Sequence, residues 1–203
     1  MNRHFQTLFV ALILISLFAC SEDNPYVQEP RRDYSEQHPV DNDSLINYLK
    51  AHYYNYQEFE SAAENEIIDF TIDSIPQDSD LISLYDQVTK ATLTLKDVND
   101  EEVVHNYYYL VAREGSEDAP SIADSTFITY EGKLLNGSFF DKKTTPVWLD
   151  LTSSVSGFRE FVAKLKTGTS SVDPNDGTVD FLNTGAGLVF MPSALGYYNQ
   201  PPM

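Results

Sequence analysis

Two segments rich in β-branched and aromatic residues, followed by an Asn-Gly turn, constrain the fold most strongly. Residues 103–113 and 125–133 are dominated by side chains that favour extended backbone. Asn136 and Gly137 then form the dipeptide most typical of a two-residue β-hairpin turn, and a return strand begins at Phe139. The pattern therefore predicts antiparallel β structure in the second half of the chain.

Apolar residues at helical spacing predict helices on both sides of these strands. From Asp41 to about residue 60, apolar side chains recur every three or four positions. A shorter helix is expected from Gly157 to Lys166 and would be ended by Gly168. Three more short strands are predicted, at residues 66–72, 91–95 and 188–191. Helices combined with antiparallel strands indicate an α+β domain.

Acidic side chains outnumber basic ones by 31 to 13, which gives a net charge of -18. Most of the excess lies in residues 21–125, with 24 acidic and 6 basic side chains, whereas residues 126–203 carry 7 and 6. A phosphate backbone would be repelled by such a protein, so we expect no nucleic-acid partner. We interpret the acidity as a solvated surface that keeps the protein soluble.

The sequence offers no motif for a metal centre or a cofactor. Cys20 is the only cysteine, which excludes a disulfide framework and leaves too few thiolates for a structural zinc site. His38, His52 and His105 lack the spacing of metal ligands. The glycine pair at 185–187 has no predicted helix behind it, as a nucleotide-binding loop would require. We therefore expect neither a metal nor a cofactor.

The first twenty residues predict an exported protein that is attached to a membrane. An uncharged apolar run over residues 8–19 is too short to cross a membrane as a helix but is typical of a signal peptide. It ends at Cys20 in the sequence Leu-Phe-Ala-Cys, which resembles the lipobox of bacterial lipoproteins. We predict a lipoprotein signal peptide at 1–19, lipidation of Cys20, and a flexible tether over 20–40. An ordinary signal peptide and a hydrophobic N-terminal anchor are the alternatives.

Four segments with characteristic spacing follow one another in the second half of the sequence. The first joins a tyrosine-x-glycine strand to a phenylalanine-aspartate pair that begins ten residues after the tyrosine. The segments are Ile128–Leu134 with Phe140 and Asp141, then Val155–Glu160, Leu165–Gly168 and Phe190–Tyr197. Together they resemble, in order, the strand and turn, the helix entry, the helix exit and the final tyrosine loop of FKBP-type peptidyl-prolyl cis-trans isomerases.

This resemblance implies an FKBP-like twisted antiparallel sheet wrapped on one short helix over residues 102–203, preceded by a small mixed α/β region at 41–101. It implies peptidyl-prolyl isomerase activity on proline-containing polypeptides, in the folding of exported proteins. Five residues would form an aromatic and apolar cup for the proline ring, namely Tyr130, Phe140, Val155, Phe158 and Tyr197. Asp141 would orient polar groups at the rim, and Tyr197 would donate a hydrogen bond to a substrate carbonyl.

The front part of the chain, residues 43–59 with the tyrosine-rich strand, also resembles lipid-anchored FKBPs of Bacteroidetes-type bacteria. This resemblance implies an outer-membrane lipoprotein of the cell envelope, on its periplasmic or surface face. A non-catalytic FKBP-like binding or chaperone module is the first alternative function. A surface lipoprotein that binds a glycan or a protein partner is the second.

The sequence departs from the family pattern in three places. The stretch from Asp141 to Val155 is shorter than in many members, with Val147 about where a pocket aromatic is often found, and a polar insertion occupies residues 169–184. Family members also continue beyond the position of Met203 with a proline-bearing loop and a final strand. We expect that the chain is truncated there or that another segment takes the place of this strand, with residues 66–72 as the best candidate.

Overall fold

The computed structural model describes residues 32–63 and 65–198, which combine four α-helices with nine β-strands. The helices are α1 (Tyr34–Ala51), α2 (Tyr56–Ser61), α3 (Leu84–Gln87) and α4 (Ser156–Val162). The strands are β1 (His52–Tyr54), β2 (Ile72–Ser74), β3 (Thr89–Lys96), β4 (Glu102–Arg113), β5 (Ser125–Lys133), β6 (Phe139–Asp150), β7 (Thr169–Val172), β8 (Val179–Leu182) and β9 (Ala186–Phe190). The predicted α+β class is confirmed.

The strands form four separate antiparallel ladders. The largest has the order β3-β4-β9, and the others are β1-β2, β5-β6 and β7-β8. Within the described ranges, no strand pairs with the second edge of β9 or of β5. The prediction that residues 66–72 fill such a place is wrong, because the strand found nearby, β2, pairs with β1. A single FKBP-like sheet wrapped on one helix stays a prediction.

Helix α1 begins earlier than the sequence predicted. The tether expected over residues 20–40 is helical from Tyr34 onward, and Pro39 lies inside the helix. A proline in a helix removes one backbone hydrogen bond, which is why the sequence favoured a later start. The Tyr34 ring packs edge-on against the rings of His105 and Tyr198, with centroids 5.2 Å apart in both pairs, and these tertiary contacts stabilise the early turns. Residues 1–31, with the predicted signal peptide and Cys20, lie outside the described ranges.

The single helix expected up to residue 60 is divided by a strand. α1 ends at Ala51, β1 follows, and α2 covers Tyr56–Ser61. In β1, Tyr54 is buried and pairs with Ile72 of β2. Pairing with a distant segment therefore overrides the local helical periodicity.

Two boundaries near α4, the helix predicted from Gly157 to Lys166, also differ from the prediction. α4 ends at Val162 rather than at Lys166, and the polar insertion over 169–184 forms the hairpin β7-β8. Gly168 does not end the helix. A Cβ atom there would lie 2.3 Å from the carbonyl oxygen of Leu182, so glycine is needed for the close approach of the hairpin.

A hydrophobic core joins the front and the second half of the chain. Leu45 and Leu49 of α1 lie in one buried cluster with Leu84 of α3, Leu110 of β4 and Phe190 of β9. The cluster therefore crosses the boundary predicted at residue 101. A second cluster, formed by Leu151, Phe161 and Val162 with Phe158 and Val189 at its edge, packs α4 against β9. This packing fixes the helix that carries part of the predicted site.

A buried histidine lies beneath the first half of α1. His105 of β4 has no exposed surface, and neither ring nitrogen has a hydrogen-bond partner among the described residues. The ring of His38 meets it edge-on at 5.0 Å. The pKa of His105 is lowered to about 4, mainly by burial and also by the neighbouring His38, whereas Asp41 acts in the opposite direction. His105 is therefore neutral in the folded protein at neutral pH.

We expect the free energy of unfolding to fall as the pH drops from about 7 to about 4. The pKa of His105 is lower in the folded state than its ordinary value of 6.5, so the unfolded chain binds more protons between these values. The neutral form of His105 contributes up to about 3 kcal/mol to the free energy of unfolding. This contribution is present above pH 6.5 and is lost as the pH falls from 6.5 to about 4. His105→Phe should flatten the dependence, as measured by urea unfolding at several pH values.

Leu49→Ala is the control for this experiment. It removes a fully buried side chain of α1 from the core cluster shared with β4 and β9. The free energy of unfolding should fall by about 2–5 kcal/mol at every pH. An unchanged pH dependence in His105→Phe would show that the buried ring does not cause the acid sensitivity.

Candidate active site

The six residues predicted for the site lie on three parts of the structure. Tyr130 is on β5, and Phe140 and Asp141 are on β6. Phe158 is in α4, and Val155 is the residue that caps its N-terminus. Tyr197 follows the 3-10 turn Ser193–Leu195, which comes after β9. The β5-β6 hairpin, the start of α4 and this turn therefore supply all six.

A hydrogen bond joins the two strands of the hairpin at the predicted site. The Tyr130 hydroxyl donates to Oδ2 of Asp141 over 2.7 Å. In the antiparallel register Asp141 is opposite Gly132, which is two residues from Tyr130 and therefore on the same face of the ladder. Tyr130 and Asp141 are thus diagonal neighbours across the strands, which is the position from which a long side chain can reach its partner.

Burial is the main reason that the pKa of Tyr130 rises to about 12. The hydrogen bond to Asp141 and the charges of Asp141 and Tyr197 act in the same direction. The Tyr130 phenol therefore keeps its proton at neutral pH and donates it in the hydrogen bond to the carboxylate of Asp141.

Aromatic rings extend from this pair on both sides. The rings of Tyr130 and Phe158 are 5.8 Å apart and nearly perpendicular, and those of Phe140 and Tyr197 are 5.9 Å apart with a similar geometry. Edge-to-face contacts at such distances are favourable for aromatic side chains. Val155 is joined to this cluster through α4 rather than by a ring contact, since it precedes Phe158 by three residues. The structure thus joins Tyr130 to Asp141 and Phe158, and Phe140 to Tyr197.

Gly132 was not among the predicted site residues, although the geometry depends on it. A Cβ atom at this position would lie 2.5 and 2.6 Å from two atoms of the Phe140 ring. Glycine therefore lets that ring lie across β5. The signal was present in the sequence as the glycine of the tyrosine-x-glycine segment.

The six residues of the predicted cup differ in their exposure to solvent. Phe140 is 39% and Tyr197 41% exposed, whereas Tyr130, Asp141, Val155 and Phe158 are half-buried. In the predicted cup, the half-buried residues would form the floor and wall, and the exposed rings of Phe140 and Tyr197 would form the mouth.

A different cleft, of about 580 Å3, contains none of the predicted residues. It is lined by polar and aromatic side chains that include Tyr54, Tyr109, Glu114 and Lys164. Residues 32–63 and 65–198 hold no cluster of three or more side chains suited to a metal ion. In the same ranges, no helix is long and apolar enough to span a membrane.

Comparison with known proteins gives one local similarity. A peptidyl-prolyl cis-trans isomerase Mip of Coxiella burnetii is 33% identical over 63 residues. The aligned part covers 30% of this chain and 27% of that protein, so the chain matches about a quarter of the length of its relative. No family model matches the chain, and no solved structure matches it. The similarity supports a distant relationship to a peptidyl-prolyl isomerase.

We expect Asp141→Asn to lower the pKa of Tyr130. The substitution removes the negative charge that helps to retain the phenolic proton, whereas the burial remains. NMR of tyrosines labelled at Cζ can follow the titration, with the Tyr130 signal assigned by its loss in Tyr130→Phe. Asp150→Asn, which changes the exposed carboxylate bonded to Thr152, serves as the control. An unmoved titration in Asp141→Asn would mean that the two groups are not coupled in solution.

Proposed function

We propose that this protein is an FKBP-type peptidyl-prolyl cis-trans isomerase. The observation that carries the proposal is the Tyr130–Asp141 hydrogen bond together with the edge-to-face ring pairs Tyr130–Phe158 and Phe140–Tyr197. The local similarity to Mip supports the same activity.

The reaction requires rotation about a peptide bond, and no covalent bond is broken. Amide resonance sets a barrier of about 18–20 kcal/mol, and a twisted amide has lost most of this resonance. A catalyst therefore needs neither a nucleophile nor a metal. It has to hold the proline ring and to interact more strongly with the twisted amide than with either planar form.

The rings supply the apolar surface for this task. Phe158 and Tyr130 meet edge-on at the half-buried base of the cup, where they would contact the proline ring. Phe140 and Tyr197 would close around the residue before proline. Removing water from the substrate amide destabilises its charge-separated planar form and lowers the barrier to rotation.

The hydrogen bonds indicate different roles for Tyr130 and Tyr197. The Tyr130 hydroxyl has one proton, which it donates to Asp141. Tyr197, at the exposed mouth, is therefore the phenol that would donate to the substrate carbonyl. Asp141 would fix the orientation of Tyr130 and accept an N–H group with its second oxygen.

A non-catalytic binding module is the second candidate function. Phe140 and Tyr197 are more exposed than a water-free site would require. An open apolar mouth can hold a proline-containing segment without excluding the water that stabilises the planar amide. Binding without catalysis would be the consequence.

We expect Phe140→Ala and Tyr197→Phe each to lower kcat/KM by roughly tenfold, which corresponds to the loss of about 1.4 kcal/mol of transition-state contact. The first removes a ring of the mouth, and the second removes only the hydroxyl. A protease-coupled assay with a proline peptide measures both. Phe139→Ala is a matched control, because Phe139 is an exposed neighbour whose ring lies beneath the Lys133 ammonium group.

Three outcomes separate the candidates. Full activity in both variants would refute the assignment of the cup. An inactive wild-type protein that binds the peptide, more weakly after Phe140→Ala, would establish the non-catalytic module. A wild-type protein that neither binds nor isomerises the peptide would refute both functions.

We also propose that the protein acts at the cell envelope, held by an acylated Cys20. The apolar run over 8–19 and the sequence before Cys20 support this location. Stable attachment needs more than one acyl chain, since a single chain binds a membrane only marginally.

We expect Cys20→Ala to abolish incorporation of radiolabelled fatty acid and to move the protein from the membrane to the soluble fraction. Ser21→Ala should retain both the label and the membrane location. Label that persists after Cys20→Ala would rule out lipidation at this residue.

A further inference from the structure

The turn that carries Tyr197 is held by backbone hydrogen bonds and by the buried Leu195, whereas the Tyr197 ring itself is exposed. In the turn before it, the carbonyl oxygen of Ser193 accepts the backbone N–H groups of Gly196 and Tyr198 over 3.0 and 2.9 Å. Leu195 is fully buried, whereas Tyr197 itself is 41% exposed. Ser193 therefore holds the backbone on both sides of Tyr197.

Ser193 is attached to α1 by a pair of hydrogen bonds. Its backbone N–H and its hydroxyl both donate to Oδ2 of Asp41, over 2.8 and 2.5 Å. The other carboxylate oxygen, Oδ1, accepts the side-chain amide of Gln37 over 2.7 Å. Hydrogen bonds to an ionised acceptor are shorter and stronger than neutral ones, so this contact fixes the turn well.

A second contact joins the far side of the turn to the start of the same helix. The Tyr198 hydroxyl donates to the carbonyl oxygen of Arg32 over 2.5 Å. In sequence, Tyr197 thus lies between Ser193, which is bonded to Asp41 within α1, and Tyr198, which is bonded to Arg32 just before α1.

α1 is itself fixed to the largest ladder, so it can transmit this constraint. Oδ1 of Asn42, the residue after Asp41, accepts the Tyr108 hydroxyl over 2.9 Å and the Asn106 side-chain amide over 3.2 Å. Leu45 and Leu49 continue along the helix into the core. The helix is therefore a rigid support rather than a loose extension.

We propose that Asp41 is a positioning residue for the isomerase site, which acts by holding Ser193 and thereby Tyr197 against Phe140. This inference rests on the proposed function, and it assigns a role to the acidic front half of the chain. Asp41 does not touch the substrate. Its effect reaches the reaction through the orientation of the Tyr197 hydroxyl.

The test measures activity and ring geometry in the same variants of the full chain. Asp41→Ala and the milder Ser193→Ala should lower kcat/KM by roughly fivefold to tenfold at a temperature where the protein is folded. Both should also weaken the NMR contact between the rings of Tyr197 and Phe140. Asp43→Ala, an exposed aspartate two residues along the same helix, should leave activity and ring contact unchanged.

A double-mutant cycle separates positioning from general stability. Asp41→Ala should have little further effect on kcat/KM in a Tyr197→Phe background, because both changes remove the same oriented hydroxyl. Fully additive losses would overturn the proposal, since they would show that Asp41 acts on something else.

The ring contact keeps this inference distinct from the proposed function. If the wild-type protein has no isomerase activity, the proposed function fails, and the NMR contact still decides whether Asp41 positions Tyr197. If Asp41→Ala and Ser193→Ala are folded and both retain the Tyr197–Phe140 contact, the inference is refuted whatever the activity.

Discussion

Burial of Leu45 and Leu49 of α1 in the cluster that contains Leu110 and Phe190 is the interaction on which the rest of the structure depends. It fixes the helix across the β3-β4-β9 ladder, and the ladder in turn supports α4 through Val189 at the edge of the second cluster. α4 carries Phe158 of the predicted site. A loss of packing beneath α1 would therefore reach the predicted site without a change in any of its residues.

The parts of the fold that could be predicted are those with strong local signals. β5 was predicted over the residues that it occupies, because a β-branched and aromatic run leads directly into the Asn136-Gly137 turn. The early start of α1 could not be foreseen, because it depends on contacts of Tyr34 with distant rings. β1 could not be predicted for a similar reason, because its pairing with the distant β2 overrides the helical pattern predicted from Asp41 to about residue 60.

The candidate site shows the same division. Its residues were named from short segments, but the contacts among them come from the fold. Tyr130 and Asp141 are 11 residues apart and meet because of the strand register. The bond between Asp41 and Ser193 spans 152 residues and has no local signature, so sequence reasoning missed it.

That long separation has a consequence for the order of events during synthesis. Asp41 leaves the ribosome early. Its partner Ser193 and the neighbouring Tyr198 follow only after all nine described strands have been made. Contacts between distant residues form late because their loop must close first. A nascent chain would therefore contain α1 and the β5-β6 hairpin for some time before Tyr197, the partner of the Phe140 ring, has been made. The contact between the Tyr197 and Phe140 rings would be among the last to form as the chain folds.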